Sequence, residues 1–207
     1  LYEEAIKRTD KEKSDVDFLL ISTKLWINKN FEEALESAYN GLFITKDKRI
    51  KSLLTMRIST IIKDINKIDA CDTLYEKAVL LYPENDKAYN NWGILHLNNN
   101  NFEKAQDKIE KALDINENNF SAHNNLGTYY LFLKEPDFEK AEKEFLKVIE
   151  INKEYKDVHK NLALCYLRNN ENDFVKIKEQ LLKVLEYSID DKFALSLLGY
   201  IYEDDKF

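Results

Sequence analysis

Three histidines and two cysteines are the side chains in this sequence best suited to bind a metal ion or to act as nucleophiles. His123 and His159 occupy matching positions in two similar segments, but no H-E-x-x-H motif or Cys–His spacing of a zinc site accompanies them. Cys71 and Cys165 lie within apolar patterns and are too few for a disulfide framework. We therefore predict histidines packed in a core, buried free thiols, and neither a metal nor a cofactor.

Common motifs of enzyme active sites are absent from the sequence. It contains no G-x-G-x-x-G, no P-loop and no G-x-S-x-G. Its many acidic residues form no recognisable acid–base pair. We therefore predict no catalytic residues and no enzymatic activity.

Composition and charge exclude further classes of protein. The net charge of −7 over 207 residues argues against nucleic acid as a partner, because phosphate-binding proteins carry a basic face. With 4 glycines and 2 prolines, frequent tight turns and all-β folds are disfavoured. No apolar run reaches the roughly 18 residues of a membrane span. Because a basic-then-apolar leader is also missing, we expect a cytoplasmic location.

A repeated motif sets the spacing of the candidate residues. Gly93 and Gly127 are 34 residues apart, Gly127 and Gly199 are 72 apart, and Ala163 fills the midpoint. The flanking residues recur in four segments: Tyr89-x-x-Trp92-Gly93-x-x-His96, His123-x-x-Leu126-Gly127-x-x-Tyr130, His159-x-x-Leu162-Ala163-x-x-Tyr166 and Leu195-x-x-Leu198-Gly199-x-x-Tyr202. Spacings of three and four place them on one stripe of a helix, here called helix A. Because glycine costs about 1 kcal/mol in a helix, we expect each glycine to lie against a neighbouring helix.

A second apolar pattern follows each helix A. It recurs with spacings i, i+3, i+7, i+10 and i+11, which describe a single face of a helix, here called helix B. The copies begin at Phe31, Ile68, Phe102, Phe138 and Phe174. Polar, asparagine-rich loops separate helix A from helix B, so the sequence predicts a series of helix hairpins.

A helix-turn-helix of 34 residues with these motifs resembles the tetratricopeptide repeat, whose signature is W-x2-L-G-x2-Y, then A-x3-F, then P. The resemblance implies one all-α domain over residues 1–207, a right-handed α-solenoid (TPR superhelix) of antiparallel hairpins. The repeats are residues 15–48, 52–85, 86–119, 120–155 and 156–191, with partial repeats at 1–10 and 192–207. Ser22 and Ser59 take the glycine position in the first two repeats. Two extra residues in the fourth and fifth repeats predict a longer helix A or a longer turn.

The resemblance also implies a binding groove, because the A helices of tetratricopeptide repeat proteins line a concave surface on which peptides lie. Among the matching positions of this chain we predict ten peptide-binding residues: Arg57, Lys87, Asn90, Asn91, Asn124, Asn125, Thr128, Lys160, Asn161 and Arg168.

Asparagine recurs at one groove position, as Asn91, Asn125 and Asn161. A carboxamide both donates and accepts hydrogen bonds, so it can pair with the backbone amide of an extended peptide. The arrangement is similar to the asparagine ladder of O-linked N-acetylglucosamine transferases. Composition is the alternative explanation, because the chain contains 21 asparagines. Against composition, asparagine is a weak helix former, so both explanations stay open.

The carboxylate clamp of chaperone adaptors is a second groove type of the family. It needs Lys and Asn in one helix A, Asn in the next, and Lys and Arg in the third. Leu164 and Leu197 stand where asparagines are expected beside Lys160. We therefore predict that the chain does not bind the C-terminal tails of chaperones.

The sequence thus predicts a non-catalytic scaffold that binds a peptide or helix of another protein. Two alternatives stay open. The chain is the substrate-recruiting arm of a larger enzyme such as a glycosyltransferase, or it forms a homo-oligomer through open repeat ends.

Overall fold

The computed structural model of the protein describes residues 2–8, 13–65, 70–169 and 174–204. Within these ranges the chain forms α-helices joined by turns and no β-strand, which confirms the predicted all-α class. The helices are α1 (Tyr2–Lys7), α2 (Asp15–Ile27), α3 (Phe31–Ile44), α4 (Lys48–Asp64), α5 (Cys71–Leu81), α6 (Asp86–Asn98), α7 (Phe102–Ile115), α8 (Phe120–Phe132), α9 (Phe138–Ile151), α10 (Asp157–Arg168), α11 (Phe174–Tyr187) and α12 (Lys192–Asp204). They divide between two compact units, Leu1–Glu117 and Asn118–Phe207. The assignment of a single domain stays a prediction.

The helices follow the predicted A and B patterns, with two refinements. Helix α4 begins at Lys48 rather than at Ser52, because the Asp47 side chain accepts hydrogen bonds from the backbone of Arg49 and Ile50 and caps the helix there. The extra residues of the fourth repeat lengthen the turn and not the helix, since α6 and α8 both have 13 residues. The start of the second helix B pattern, Ile68, lies outside the described residues.

The apolar face predicted for the B helices forms the core of each unit. In the first unit the residues of this face exposed by 3% or less are Ala34, Ala38, Cys71, Tyr75, Ala78, Ala105, Ile109 and Ala112. In the second unit they are Ala141, Phe145, Val148, Ile177, Leu181 and Val184. Burial of each large side chain contributes roughly 1.5–3 kcal/mol. Most charged residues of the B helices lie on the opposite, exposed faces.

The glycines of the A helices make room for large residues on the B helices. A Cβ atom added to Gly93 would lie 2.5 Å from Ile109 Cγ1, and one added to Gly127 would lie 2.6 Å from the ring of Phe145. The predicted close contact is therefore confirmed at both positions. It is wrong for Gly199, whose added Cβ atom would meet no described heavy atom within 4 Å, because no helix B is described beyond α12.

Serine replaces glycine in the first two repeats and makes a different contact at the same place. The hydroxyl of Ser22 donates to the carbonyl oxygen of Ala34 at 2.8 Å, and that of Ser59 donates to the carbonyl oxygen of Cys71 at 3.1 Å. Both serines are fully buried. The position therefore holds only small residues: glycine, the buried Ala163 of the fifth repeat, or a serine whose hydroxyl bonds to the backbone of helix B.

Asparagines in the loops cap the helices that follow them. The side-chain oxygens of Asn85, Asn101 and Asn119 accept hydrogen bonds from the first turns of α6, α7 and α8, which satisfies backbone donors that would otherwise lack partners. Asn100 adopts a left-handed conformation with φ of 57°, which asparagine tolerates better than most residues. Loop asparagines thus begin and separate the helices.

Candidate functional site

The A helices of each unit lie side by side and leave one face uncovered by their B helices. Contacts join α2 to α4 and α4 to α6 in the first unit, and α8 to α10 in the second. We call the face of these helices that points away from the B helices the A-helix surface of each unit. The ten residues predicted to bind a peptide belong to helices α4, α6, α8 and α10.

Two of the predicted asparagines form a hydrogen bond between neighbouring A helices of the second unit. Asn161 on α10 donates from Nδ2 to Oδ1 of Asn124 on α8 at 2.8 Å. Asn124 is only 8% exposed, and its backbone carbonyl accepts a bond from the hydroxyl of Thr128 at 2.9 Å. Asn124 therefore holds the two helices together and offers little surface, whereas Asn125 is partly exposed.

The predicted basic residues of the second unit have partners within the protein. Lys160 forms an ion pair of 2.5 Å with Asp191, and the hydrogen bond from Lys160 is the main cause of the lowered pKa of Asp191. Arg168 donates to the carbonyl oxygen of Leu131 at 2.7 Å and lies over the ring of Phe132 at 4.9 Å. A ligand would have to compete with these contacts.

The first unit places a different set of groups on its A-helix surface. The guanidinium of Arg57 lies over the indole ring of Trp26, 4.5 Å from the ring centroid. The indole Nε1 donates to Oδ2 of Asp64 at 2.7 Å, which links α2 to α4. Burial lowers the pKa of Arg57, while the charges of Tyr75 and Asp64 oppose this effect. A cation is thus fixed in orientation at this surface.

The remaining predicted residues of the first unit lie on α6 and differ in exposure. Lys87 is exposed and Asn91 is half-buried. Asn90 is only 5% exposed and therefore has little surface to offer a ligand.

Trp26 and Asp64 were not among the candidates from the sequence, although both belong to this surface. The sequence contains a signal for Trp26, because it occupies the same repeat position as Leu97. Trp26 lies four residues after Ser22, and Leu97 lies four residues after Gly93. The match to the repeat motif is weak in the first helix A, and this weakness concealed it.

The three histidines connect neighbouring helices through their side chains. His123 Nδ1 lies 2.6 Å from Glu144, His159 Nδ1 lies 2.8 Å from Gln180, and His96 Nε2 lies 3.1 Å from Asp72. Burial is the main cause that lowers the pKa of His96, and Asp72 acts in the opposite direction. Among the described residues no cluster of histidine, cysteine or acidic side chains could hold a metal ion. Both cysteines are buried thiols, as predicted.

None of the helices in the described ranges combines the length and the hydropathy needed to cross a membrane.

Comparison with known proteins identifies the repeat. The family model of the tetratricopeptide repeat matches residues 86–119. At the level of sequence, no curated protein matches the chain.

Solved structures share the fold over nearly the whole chain. The Pseudomonas aeruginosa protein pilF aligns with a TM-score of 0.76 and 17% identity, covering 99% of this chain and 87% of its own. YrrB, a tetratricopeptide repeat protein with an unusual peptide-binding site, aligns with a TM-score of 0.61 and 17% identity, covering 96% and 97%. The Thermus thermophilus protein TTC0263 aligns with a TM-score of 0.73 and 15% identity, covering 90% and 98%. Residues 86–119 are therefore a tetratricopeptide repeat, and the chain has the fold of tetratricopeptide repeat proteins, with helices that fit about five repeats plus partial ones.

Proposed function

We propose that this chain is a non-catalytic scaffold that binds an extended peptide or a helix of another protein on its A-helix surfaces. A tetratricopeptide repeat fold indicates protein partners, and the similar structure YrrB has a peptide-binding site. The polar groups that the structure describes on the A-helix surfaces are mainly amides and cations.

The observation that carries the proposal is the hydrogen-bonding capacity left on asparagines of the A helices. Asn91 is half-buried and its carboxamide makes no hydrogen bond to a described residue. Asn161 donates to Asn124 and keeps its own side-chain oxygen as an acceptor. Unlike the loop asparagines, neither residue caps a helix, so helix capping does not explain them. Carboxamides of this kind can pair with a peptide backbone whatever its side chains.

A displayed library of short random peptides tests the proposal without a known partner. The parent protein should select peptides, and calorimetry should then measure their affinity for the variant Asn91→Ala/Asn125→Ala. We expect affinity to fall by about tenfold or more, the equivalent of one or two lost hydrogen bonds. Thermal unfolding should change little.

Asn40→Ala is the matched control, because Asn40 is an exposed asparagine on the B helix α3. Its affinity for the same peptides should equal that of the parent. Equal affinity of the Asn91→Ala/Asn125→Ala variant would show that these carboxamides do not bind the peptide backbone.

Self-association is a second candidate function, favoured by the surface of α12. Leu195, Tyr200 and Tyr202 are 48%, 63% and 51% exposed, and no described atom fills the space beside Gly199. Light scattering over a range of concentrations tests it, and Leu195→Glu should abolish any dimer that uses this face. The interpretation as a recruiting arm of a larger enzyme stays a prediction.

A further inference from the structure

The packing of the helices does not explain why Arg57 lies partly buried without a hydrogen-bond acceptor. Arg57 belongs to α4 in the middle of the A-helix surface of the first unit, and its Nε atom is buried without a hydrogen-bond partner. No described residue forms a hydrogen bond or an ion pair with this guanidinium. A buried donor left unpaired is costly, so the missing acceptor calls for an explanation.

Two of the other three arginines have hydrogen-bond acceptors within the protein, and the third, Arg49, is exposed. Arg8 donates to both carboxylate oxygens of Asp17, at 2.9 and 2.7 Å, and Arg168 donates to the carbonyl oxygen of Leu131. Acceptors within the protein thus satisfy the guanidinium groups of Arg8 and Arg168. Arg57 is held by a ring face instead.

The contact with Trp26 determines which nitrogens of Arg57 remain available to a ligand. The guanidinium carbon of Arg57 lies over the indole ring, 4.5 Å from its centroid, and Asp64 fixes the indole by accepting a hydrogen bond from its Nε1–H at 2.7 Å. The indole ring covers one face of the guanidinium. The Nε atom is buried, whereas the two terminal nitrogens remain accessible. These two nitrogens match the two oxygens of a carboxylate. Because the stacked side chain is already immobilised, a ligand would cost little further side-chain entropy.

The charges around Arg57 and Trp26 favour an anionic ligand. An open depression of about 690 Å³ beside Trp26 is lined in part by Lys29, Lys63 and Asp64, and Lys63 lies 3.5 Å from Asp64. Arg57 and the two lysines outweigh the one carboxylate, so a carboxylate ligand would be attracted. The choice of a carboxylate rests on geometry, because one planar guanidinium pairs with both oxygens of a carboxylate and leaves the third oxygen of a phosphate without a matching donor.

We propose that Arg57 and Trp26 form an anchor for the side-chain carboxylate of an acidic residue in a bound peptide. The inference rests on the proposed function, because it takes the A-helix surface as the place where peptides lie. Arg57 supplies the paired donors, Trp26 holds their plane, and Asn91 on the neighbouring helix α6 is available to the peptide backbone.

Capped oligoglutamate and oligoglutamine peptides of equal length test the anchor directly. In NMR titrations of the intact chain, oligoglutamate should shift the Nε–H signals of Arg57 and Trp26, and oligoglutamine should not. Arg57→Gln should weaken oligoglutamate binding by about tenfold or more, since a charge-assisted pair is lost. Arg57→Lys should recover only part of the affinity, because an ammonium lacks the planar pair of donors.

Arg49→Gln is the matched control, since Arg49 lies on the first turn of the same helix and is exposed. It should bind oligoglutamate like the parent. Thermal unfolding of each variant shows that it is folded.

The outcomes separate the anchor from the proposed function. Equal binding of oligoglutamate by Arg57→Gln and the parent overturns the anchor, and so does tighter binding of a phosphoserine peptide than of its glutamate counterpart. If library peptides still depend on Asn91 and Asn125 in either case, the proposed function stands. If no library peptide binds the A-helix surfaces, the proposed function fails first.

Discussion

The substitution Gly93→Ala offers a sharp test of how the helices pack. In an isolated helix this change stabilises by about 1 kcal/mol, because alanine loses less backbone entropy than glycine. Here the new Cβ atom would lie 2.5 Å from Ile109 Cγ1 and 3.2 Å from the backbone oxygen of Ala105. Packing and helix propensity therefore predict effects of opposite sign.

The structure indicates that packing dominates. Ile109 is fully buried, and Cγ1 is not the free end of its side chain, so it cannot move aside without displacing its neighbours. Overpacking of this kind costs about 1–3 kcal/mol, and the added backbone contact places Gly93→Ala near the upper end. After about 1 kcal/mol of helix propensity is subtracted, the net loss of stability should be about 2 kcal/mol.

Gly199→Ala is the matched control, because the same motif position on α12 has no described atom within 4 Å of the added Cβ. There only helix propensity acts, so we expect stabilisation by about 0.5–1 kcal/mol. Urea unfolding followed by circular dichroism measures both variants under identical conditions. A Gly93→Ala protein as stable as the parent would refute the packing argument.

A double-mutant cycle identifies the atoms responsible. Ile109→Ala alone should cost about 2–5 kcal/mol through loss of a buried side chain. Combined with Gly93→Ala, it should cost about 3 kcal/mol less than the sum of the two single changes, because the overpacking disappears and only the helix propensity of alanine remains. Additive effects would place the strain elsewhere.

Three further predictions concern pH, a buried hydroxyl and a strained turn. Burial lowers the pKa of His96 below its ordinary 6.5. The contribution of His96 to stability is therefore fully present above pH 6.5 and is lost as the pH falls through the lowered pKa of the folded state, so His96→Gln should flatten the stability profile below pH 6.5. Ser22→Ala removes the 2.8 Å bond to the carbonyl of Ala34 and should cost about 1 kcal/mol in urea unfolding, whereas Ser196→Ala on the exposed face of α12 should cost little. Lys29 has a φ of 62°, so Lys29→Asn should raise stability in the same assay by roughly 0.5 kcal/mol.

Much of the fold could be predicted because apolar residues and glycines recur at the spacings that helix packing requires. The B helices show this most clearly, because alanine and large apolar residues recur at fixed offsets and become the most buried side chains, such as Ala105 and Phe145. Gly93 and Gly127 reveal in the same way that a neighbour approaches closely. Gly199 shows where this prediction fails. A glycine in the motif indicates that the position can accept a close neighbour, but it does not indicate that a partner helix is present.

The candidate surface was less predictable, because a residue's position in a repeat does not reveal its partners. Asn124 and Asn125 are adjacent asparagines on one helix, yet Asn124 accepts a hydrogen bond from Asn161 and is buried, while Asn125 keeps some exposure. Trp26 was missed for a related reason. Its importance comes from contact with Arg57 in another repeat, and an alignment of repeats compares equivalent positions without showing which side chains touch.

The order of side chains across the first unit constrains what a bound peptide can look like. Matching positions of α2, α4 and α6 carry Leu20, Arg57 and Asn91, which are apolar, cationic and amide groups on neighbouring helices. An extended peptide crossing these helices would meet them in that order, because successive A helices lie side by side. Peptides selected by the protein should therefore place an acidic residue beside an apolar one. The Arg57→Gln variant should lose the selection for the acidic residue and keep the apolar one, since Leu20 and the backbone contact of Asn91 are unchanged. Loss of both preferences together would mean that Arg57 shapes the whole surface rather than binding one carboxylate.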